Sequence, residues 1–323
     1  MVTSELIQKL ADGKFHSGES LAEELGISRT AIWKQIQKIS ELWDLKIHAV
    51  KGKGYQLAQP LDLLDEQLIQ QELNPDVQQQ IDHLEIHTVL DSTNSHLMEK
   101  IISGSFETRV CLTEQQTKGK GRRGRQWFSP FAGNIYLSIS RRLERPPYQL
   151  AGLSLAMGVA VTETLHSFGF KQIGLKWPND LVTDQGKVGG LLLQMSGENE
   201  GPSNVVAGIG INVRMPSTAT QQIDQPWTDL QSQGAAPSRS KLASRLINAM
   251  VDGMSLYEKQ GLEPFLNTWR KLDYYHGREV VLLRGDERIT GISTGIAEDG
   301  SLLLETANGI ERFHGGEISL RAR

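Results

Sequence analysis

The chain has 323 residues, of which 38% are hydrophobic and 22% are charged, and its net charge is −4. This composition is typical of a globular protein with about two or three domains, and it excludes collagen-like, disulfide-rich and wholly disordered chains. Net negative charge also excludes binding of nucleic acid through overall charge, so any such binding needs a local basic patch. The single cysteine, Cys111, is typical of a cytoplasmic protein. No segment reaches the ~18 apolar residues of a membrane span, and the N-terminus lacks a signal-peptide core.

The first 57 residues predict two short helices followed by a β-hairpin. Gly26 is a suitable end for one helix, and Ser28 is a suitable N-cap for the next. The second helix then has a buried stripe of Ile32, Ile36 and Ile39. Residues 46–57 form the hairpin, with Lys-Gly-Lys-Gly at its turn. This order is typical of a winged helix-turn-helix.

Charge within this block favours DNA as its partner. Residues 1–27 contain two basic and five acidic side chains, whereas residues 28–55 contain six basic and two acidic ones. Positive charge therefore falls on the second helix and the wing, where phosphates would lie. The predicted DNA contacts are Arg29, Thr30, Trp33, Lys34, Gln37, Lys51 and Lys53. The alternative is a protein-interaction module with a solvated basic face.

The remainder of the chain predicts an α+β fold followed by a small β-barrel. Four strands are predicted, at Arg109–Glu114, Asn134–Ser140, Lys187–Met195 and Asn204–Asn212. One apolar helix is predicted at Leu150–Phe168, between the second and third strands. Short alternating strands separated by glycines follow at Glu279–Arg284, Arg288–Ile296, Leu302–Glu305 and Ile310–His314.

The segment Lys118–Arg125, Lys-Gly-Lys-Gly-Arg-Arg-Gly-Arg, is the most informative in the chain. Five cations and three glycines cannot pack into a core, but the glycines let backbone N–H groups approach an anion and the cations neutralise phosphate oxygens. The spacing is not that of a Walker P-loop. Taken alone, the segment is also compatible with a localisation signal or an RNA-binding stretch.

Three further segments supply polar groups for a small molecule. Asp91-Ser92-Thr93-Asn94 precedes a helix predicted over His96–Ile102, and Lys176-Trp177-Pro178-Asn179-Asp180 turns the chain at a strand end. Lys187 lies between glycines at the mouth of a hairpin. Each segment alone is also compatible with a surface turn, a helix cap or a solvated lysine. No nucleophilic triad, zinc motif or other metal-ligand set is evident, which favours activation of a carboxylate by ATP.

The motifs DSTN, GKGRRGR followed by WFSP, KWPND, GKVGG, GIGIN and GGEISLR occur in this order along the whole chain. In this respect the chain resembles the bacterial bifunctional biotin–protein ligase and biotin operon repressor. The resemblance implies a winged helix-turn-helix DNA-binding domain over residues 1–58, a catalytic α+β domain with a mixed sheet over 64–272, and an SH3-like domain over 273–323.

The resemblance also implies the substrates and their contacts. Biotin, Mg-ATP and the intermediate biotinyl-5′-AMP would bind the central domain, and the partners would be the biotin carboxyl carrier protein, operator DNA and, with the intermediate bound, a second copy of the chain. The implied biotin contacts are Ser92, Thr93, Asn94, Gln116, Lys120, Gly121, Arg122 and Lys187. The implied nucleotide contacts are Arg122, Arg123, Trp127, Asn179, Asn212 and Arg321. Lys187, Arg122 and Asp180 would be catalytic.

Two alternatives stay open from the sequence. A lipoate–protein ligase would share the fold and the chemistry, although the basic loop followed by WFSP and the KWPND segment disfavour it. A ligand-responsive repressor with a degenerate active site is the other, and the presence of Lys187 and Arg122 disfavours it.

Overall fold

The computed structural model describes residues 2–197, 200–285, 287–315 and 318–322. The N-terminal block contains α1 (Val2–Leu10), α2 (Gly18–Glu24), α3 (Arg29–Trp43), β1 (Ile47–Val50) and β2 (Gly54–Leu57). Ser28 caps α3, since its hydroxyl accepts a hydrogen bond from the N–H of Ala31 at 3.2 Å. β1 and β2 pair antiparallel to form the wing. The winged helix-turn-helix prediction is confirmed.

The central block is built on a seven-stranded mixed sheet with the order β3-β4-β5-β9-β8-β7-β6. Its elements are α4 (Glu66–Gln71), α5 (Pro75–Gln78), β3 (His83–His87), α6 (Thr93–Ile102), β4 (Arg109–Thr113), β5 (Ile135–Leu143), α7 (Leu153–Ser167), β6 (Gly174–Lys176), β7 (Asp180–Thr183), β8 (Gly186–Gly197), β9 (Ser203–Ile211), α8 (Leu230–Gln233), α9 (Arg239–Gln260) and α10 (Glu263–Leu272). Only the β3–β4 pair is parallel among these described strands.

Helices cover both faces of this sheet. α7, α9 and α10 pack together and against the strands to form the large apolar core. α6 packs against β4, β5 and β9, where Leu97, Ile101, Cys111 and Val206 form a separate small core. Cys111 is fully buried, and its burial raises the pKa of the thiol far above the ordinary range. In the absence of a metal this thiol is therefore an unreactive core group.

The C-terminal block is a five-stranded antiparallel sheet with the order β13-β12-β11-β10-β14. Its strands are β10 (Glu279–Arg284), β11 (Glu287–Ile296), β12 (Leu302–Thr306), β13 (Gly309–Phe313) and β14 (Ile318–Ala322). The SH3-like prediction and the α+β class are confirmed. Among the helices of the described ranges, none combines the length and hydropathy needed to cross a bilayer.

Several contacts among the described residues join the blocks, and three of them involve aromatic or buried charged side chains. The Trp43 ring at the end of α3 stacks on Phe131 of the central block, with ring centroids 3.9 Å apart and planes 6° apart. The buried Arg239 guanidinium donates to Glu114 at 2.7 Å and to the carbonyl of Asp62, in the segment that leaves the winged helix, also at 2.7 Å. The C-terminal block is joined to the central block through Gly300. Its carbonyl accepts a hydrogen bond from the indole N–H of Trp177 at 3.1 Å.

Candidate functional site

An open cleft lies where β8 and β9 meet the N-terminus of α6, the basic loop and the turn after β6. Twelve of the predicted residues line it: Ser92, Thr93, Asn94, Gln116, Lys120, Gly121, Arg122, Arg123, Trp127, Asn179, Asp180 and Lys187. These residues are up to 95 positions apart in sequence. The fold therefore brings the four polar and basic segments of the sequence into one site.

Glycines in β9 form the floor of the cleft. A Cβ added at Gly208 would lie 2.0 Å from the side-chain oxygen of Asn94, and one added at Gly210 would lie 2.6 Å from the Trp127 ring. Side chains of any size at these two positions would displace the residues that line the cleft. The glycines of the GIGIN strand end therefore create space for the site.

One end of the cleft is a buried, uncharged hydrogen-bonding network. The backbone N–H of Thr93 donates to the side-chain oxygen of Gln116 at 2.9 Å. The Ser138 hydroxyl lies 2.7 Å from the Thr93 hydroxyl and 2.6 Å from the Asn94 side-chain oxygen. Asn94 in turn donates to the carbonyl of Leu192 at 3.1 Å. Such a network holds its polar groups in place before any ligand arrives.

The start of α6 differs from the prediction. The helix begins at Thr93 rather than at His96, and Ser92 is its N-cap, with the Ser92 hydroxyl accepting from the N–H of Ser95 at 3.5 Å. Thr93 and Asn94 therefore belong to the first helical turn. The helix fixes their direction toward the cleft, which a loop would not do.

The other end of the cleft is charged. The Lys187 ammonium donates to Asp180 at 2.6 Å and lies 5.2 Å from the centre of the Trp127 ring. The side chains of this ion pair are only 17% and 19% exposed. A charge pair with so little solvent around it interacts more strongly with an incoming anion than a surface pair does.

Arg122 reaches across the cleft from the basic loop. Its guanidinium donates to the side-chain oxygen of Asn179 at 3.3 Å. Burial lowers the pKa of Arg122, while the nearby charge of Asp180 acts in the opposite direction. An arginine still carries its charge at neutral pH under such conditions. Arg123, next in the chain, is exposed and has a left-handed backbone with φ of 59°.

Two predicted nucleotide contacts lie elsewhere. Asn212 is buried beside a second hollow that adjoins the main cleft, and its amide donates to the carbonyl of Thr228 at 3.0 Å. Its side chain therefore holds the loop after β9 in place, and it would meet a nucleotide only from that hollow. Arg321 falls in β14, and its side chain lies outside the part of the chain that the structure describes.

Some lining residues were not assigned a ligand contact from the sequence. Lys176 and Trp177 line the cleft next to the predicted Asn179 and Asp180, so their place in the same motif was the available signal. Arg125 and Gln225 also line the cleft. Ser138 is a buried position in β5 that has no sequence signal, because an isolated serine in a strand is common.

The predicted DNA contacts form an exposed surface on the winged helix. Arg29, Thr30 and Trp33 of α3 share one hollow with Lys51 and Lys53 of the wing. Trp33 is 51% exposed, so its ring is accessible on this surface. Lys34 and Gln37 are also exposed on α3, outside this hollow.

Comparison with known families defines the class of protein. Residues 86–212 match the biotin/lipoate A/B protein ligase family, residues 275–321 match the biotin protein ligase C-terminal domain, and residues 3–56 match a helix-turn-helix domain. A solved biotin protein ligase from Aquifex aeolicus, in complex with biotin and ATP, superposes with a TM-score of 0.64 at 28% identity. That match covers 75% of this chain and 100% of the Aquifex chain.

Two curated relatives match over nearly their whole length. The bifunctional ligase/repressor BirA of Salmonella typhimurium is 42% identical over 98% of this chain and 97% of its own. The protein of the same description from Escherichia coli is 41% identical over 99% of this chain and 98% of its own. The chain belongs to this family of bifunctional ligase/repressors.

Proposed function

We propose that the protein is an ATP-dependent biotin–protein ligase that forms biotinyl-5′-AMP and transfers biotin to a lysine of the biotin carboxyl carrier protein of acetyl-CoA carboxylase. With biotinyl-5′-AMP as corepressor, it also represses the biotin biosynthesis operon. The observation that carries the proposal is the asymmetry of the cleft. A buried uncharged network at one end suits the ureido group of biotin, and the cations at the other end suit a carboxylate and phosphates.

In the first half-reaction the biotin carboxylate attacks the α-phosphorus of ATP, and the bond to pyrophosphate breaks. Two anions must meet, so catalysis is mainly positioning and neutralisation of charge. Lys187 would neutralise the reacting carboxylate and phosphate, and Arg122 and Lys120 would close over them from the basic loop, since all three side chains line the cleft. Mg²⁺ arrives with the nucleotide, since it is bound mostly through phosphates and water.

In the second half-reaction the ε-amine of the carrier lysine attacks the mixed anhydride and releases AMP. The amine has an ordinary pKa near ~10.4 and must lose a proton to become a nucleophile. Asp180 lies at the charged end of the cleft, with its carboxylate accepting a hydrogen bond from Lys187 at 2.6 Å. We assign Asp180 the role of orienting this amine and balancing its positive charge. We assign Trp127, Asn179 and Arg123 to contacts with the nucleotide.

The repressor function uses the exposed basic surface of α3 and the wing. A homodimer formed with bound biotinyl-5′-AMP would present this surface twice, which suits a palindromic operator. The proposed domains are residues 1–58 for DNA binding, residues 64–272 for catalysis and residues 273–323 for the SH3-like unit. A cytoplasmic location follows from its nucleotide, carrier and DNA substrates.

The first test is pyrophosphate exchange into ATP, measured with biotin or lipoate as the acid. Exchange that depends on biotin, and falls about 100-fold or more in Lys187→Met, supports the proposal. The matched control is Lys171→Met, which removes an exposed lysine outside the cleft and should exchange normally. Exchange with lipoate alone would identify a lipoate ligase, and no exchange with either acid would identify a repressor without activity.

The second test is the salt dependence of operator binding. The log of the affinity should fall with the log of salt at a slope of roughly −0.9 per phosphate neutralised, and Lys51→Ala should reduce the slope by about one per wing.

Sedimentation with and without biotinyl-5′-AMP tests the dimer. Equal dimerisation in both states would contradict the corepressor role, because a ligand shifts an equilibrium only by its differential affinity.

A further inference from the structure

Four potential metal ligands meet on the face of the sheet that α6 covers. In the parallel β3–β4 pair, Glu85 lies directly opposite Cys111. His87 is two residues after Glu85 and so shares its face of the strand. α6 packs over this face and adds His96. These residues are separated in the sequence, and only the strand pairing brings them together.

The ligand atoms of three of these side chains are close to one another, and Glu85 contacts two of the three. The histidine nitrogens of His87 and His96 and the sulfur of Cys111 all lie within 4.8 Å of one another. The Glu85 carboxylate lies 2.9 Å from Nε2 of His87 and 3.1 Å from Nε2 of His96 through a single oxygen, Oε2. Its other oxygen, Oε1, is buried and has no hydrogen-bond partner among the described residues.

The unpartnered oxygen of Glu85 also suits a cation. A buried carboxylate oxygen without a partner is costly, and a bound cation would remove that cost.

The donor set selects the metal. Two imidazoles, one thiolate and one carboxylate suit Zn²⁺, which binds such ligands tetrahedrally at about 2.0–2.3 Å. Ligand atoms at the corners of such a tetrahedron are roughly 3.3–3.8 Å apart. The distances among His87, His96 and Cys111 would therefore need to shorten by up to about 1 Å from their upper limit of 4.8 Å, which side-chain rotation can supply.

We propose that Glu85, His87, His96 and Cys111 form a zinc site outside the catalytic cleft. Binding forms one Zn–S, two Zn–N and one Zn–O bond, and the thiol proton leaves to water. The metal would tie α6 to β3 and β4. Because the first turn of α6 carries Thr93 and Asn94, the zinc site would hold the uncharged end of the cleft in position.

Competition with a chromophoric chelator tests this proposal on the full-length protein after removal of metal. We expect one Zn²⁺ per chain, and an affinity at least about 100-fold lower in His96→Gln and in Glu85→Gln. Co²⁺ in place of Zn²⁺ should give tetrahedral visible bands together with a thiolate-to-cobalt charge-transfer band. Cys111→Ser should lose the charge-transfer band.

The matched control is His83→Gln. His83 lies on β3 with Glu85 and His87, but its side chain is 47% exposed and pairs with Glu107 rather than with the cluster. It should bind Zn²⁺ as the wild type does. The half-buried His96 and Glu85 variants keep the test valid if Cys111→Ser does not fold. Absence of stoichiometric binding would overturn the proposal, as would equal affinity in wild type and His96→Gln or loss of binding in His83→Gln.

Discussion

Arg122→Ala should convert the protein into one that releases its reactive intermediate. The Arg122 guanidinium crosses the cleft to Asn179 at 3.3 Å, whereas the backbone bond from Gly121 to Arg125 at 2.7 Å stays within the basic loop. A glycine-rich loop loses chain entropy when it closes, so it needs contacts across the cleft to stay closed. Loss of one charge-assisted hydrogen bond costs about 1.5–3 kcal/mol, which is roughly 10- to 150-fold in retention of biotinyl-5′-AMP.

The assay is a streptavidin blot of serum albumin added to enzyme, ATP and biotin. Adenylate synthesis should survive in part, because Lys187 and its partner Asp180 remain at the reacting centre. Escaped anhydride should then label lysines of the albumin. Arg142→Ala is the matched control, since it removes a half-exposed guanidinium outside the cleft. An Arg122→Ala protein that makes adenylate but leaves albumin unlabelled would refute the role of Arg122 in retention.

Three further predictions concern stability and the coupling of domains. Arg239→Met leaves the buried Glu114 carboxylate without its ion pair, so it should lower the free energy of unfolding by about 3–5 kcal/mol and Tm by roughly 6–20 °C. The control Arg284→Met, at an exposed ion pair, should change Tm little. Equal shifts in the two variants would contradict this prediction. Burial raises the folded-state pKa of Asp273 to about 6, so the stability contributed by its protonated carboxyl group is lost as the pH rises from about 4 to 6. Asp273→Asn should therefore raise the free energy of unfolding, measured by urea titration, by on the order of 3 kcal/mol at most at pH 8 and by little at pH 4. A gain that does not vary with pH would contradict the sign. Deletion of residues 1–58 should abolish operator binding and retain adenylate synthesis. The deletion also removes one ring of the interdomain aromatic stack, so it should lower Tm. An unchanged Tm would mean that the stack contributes nothing to stability.

Local patterns predicted most of the fold. The Ser28 cap and the isoleucine stripe located α3, and alternation with glycines located the strands of the C-terminal sheet to within a residue or two. The prediction missed the short strands β3, β6, β7 and β14, because three to five residues carry too little periodicity. It also began α6 at His96, because Thr93 and Asn94 are more typical of turns than of helices.

The candidate site was predictable where charge or motif marked it, and not where tertiary contacts create it. The basic loop, Lys187 and the segment that ends at Asp180 each stood out by composition, and the fold brings them together. The Ser138 hydroxyl and the stack on Phe131 depend on which strands pair and which domains touch. Local sequence does not contain that information.

Mass spectrometry of a biotin carrier domain tests the central claim most directly. The domain is incubated with the full-length protein, Mg-ATP and biotin, and its mass is compared with that of a reaction lacking ATP. We predict the addition of one biotinyl group on a single lysine, only with ATP, and a strongly reduced yield with Lys187→Met. A carrier that stays unmodified, or that gains the same mass in the reaction lacking ATP, would contradict the account.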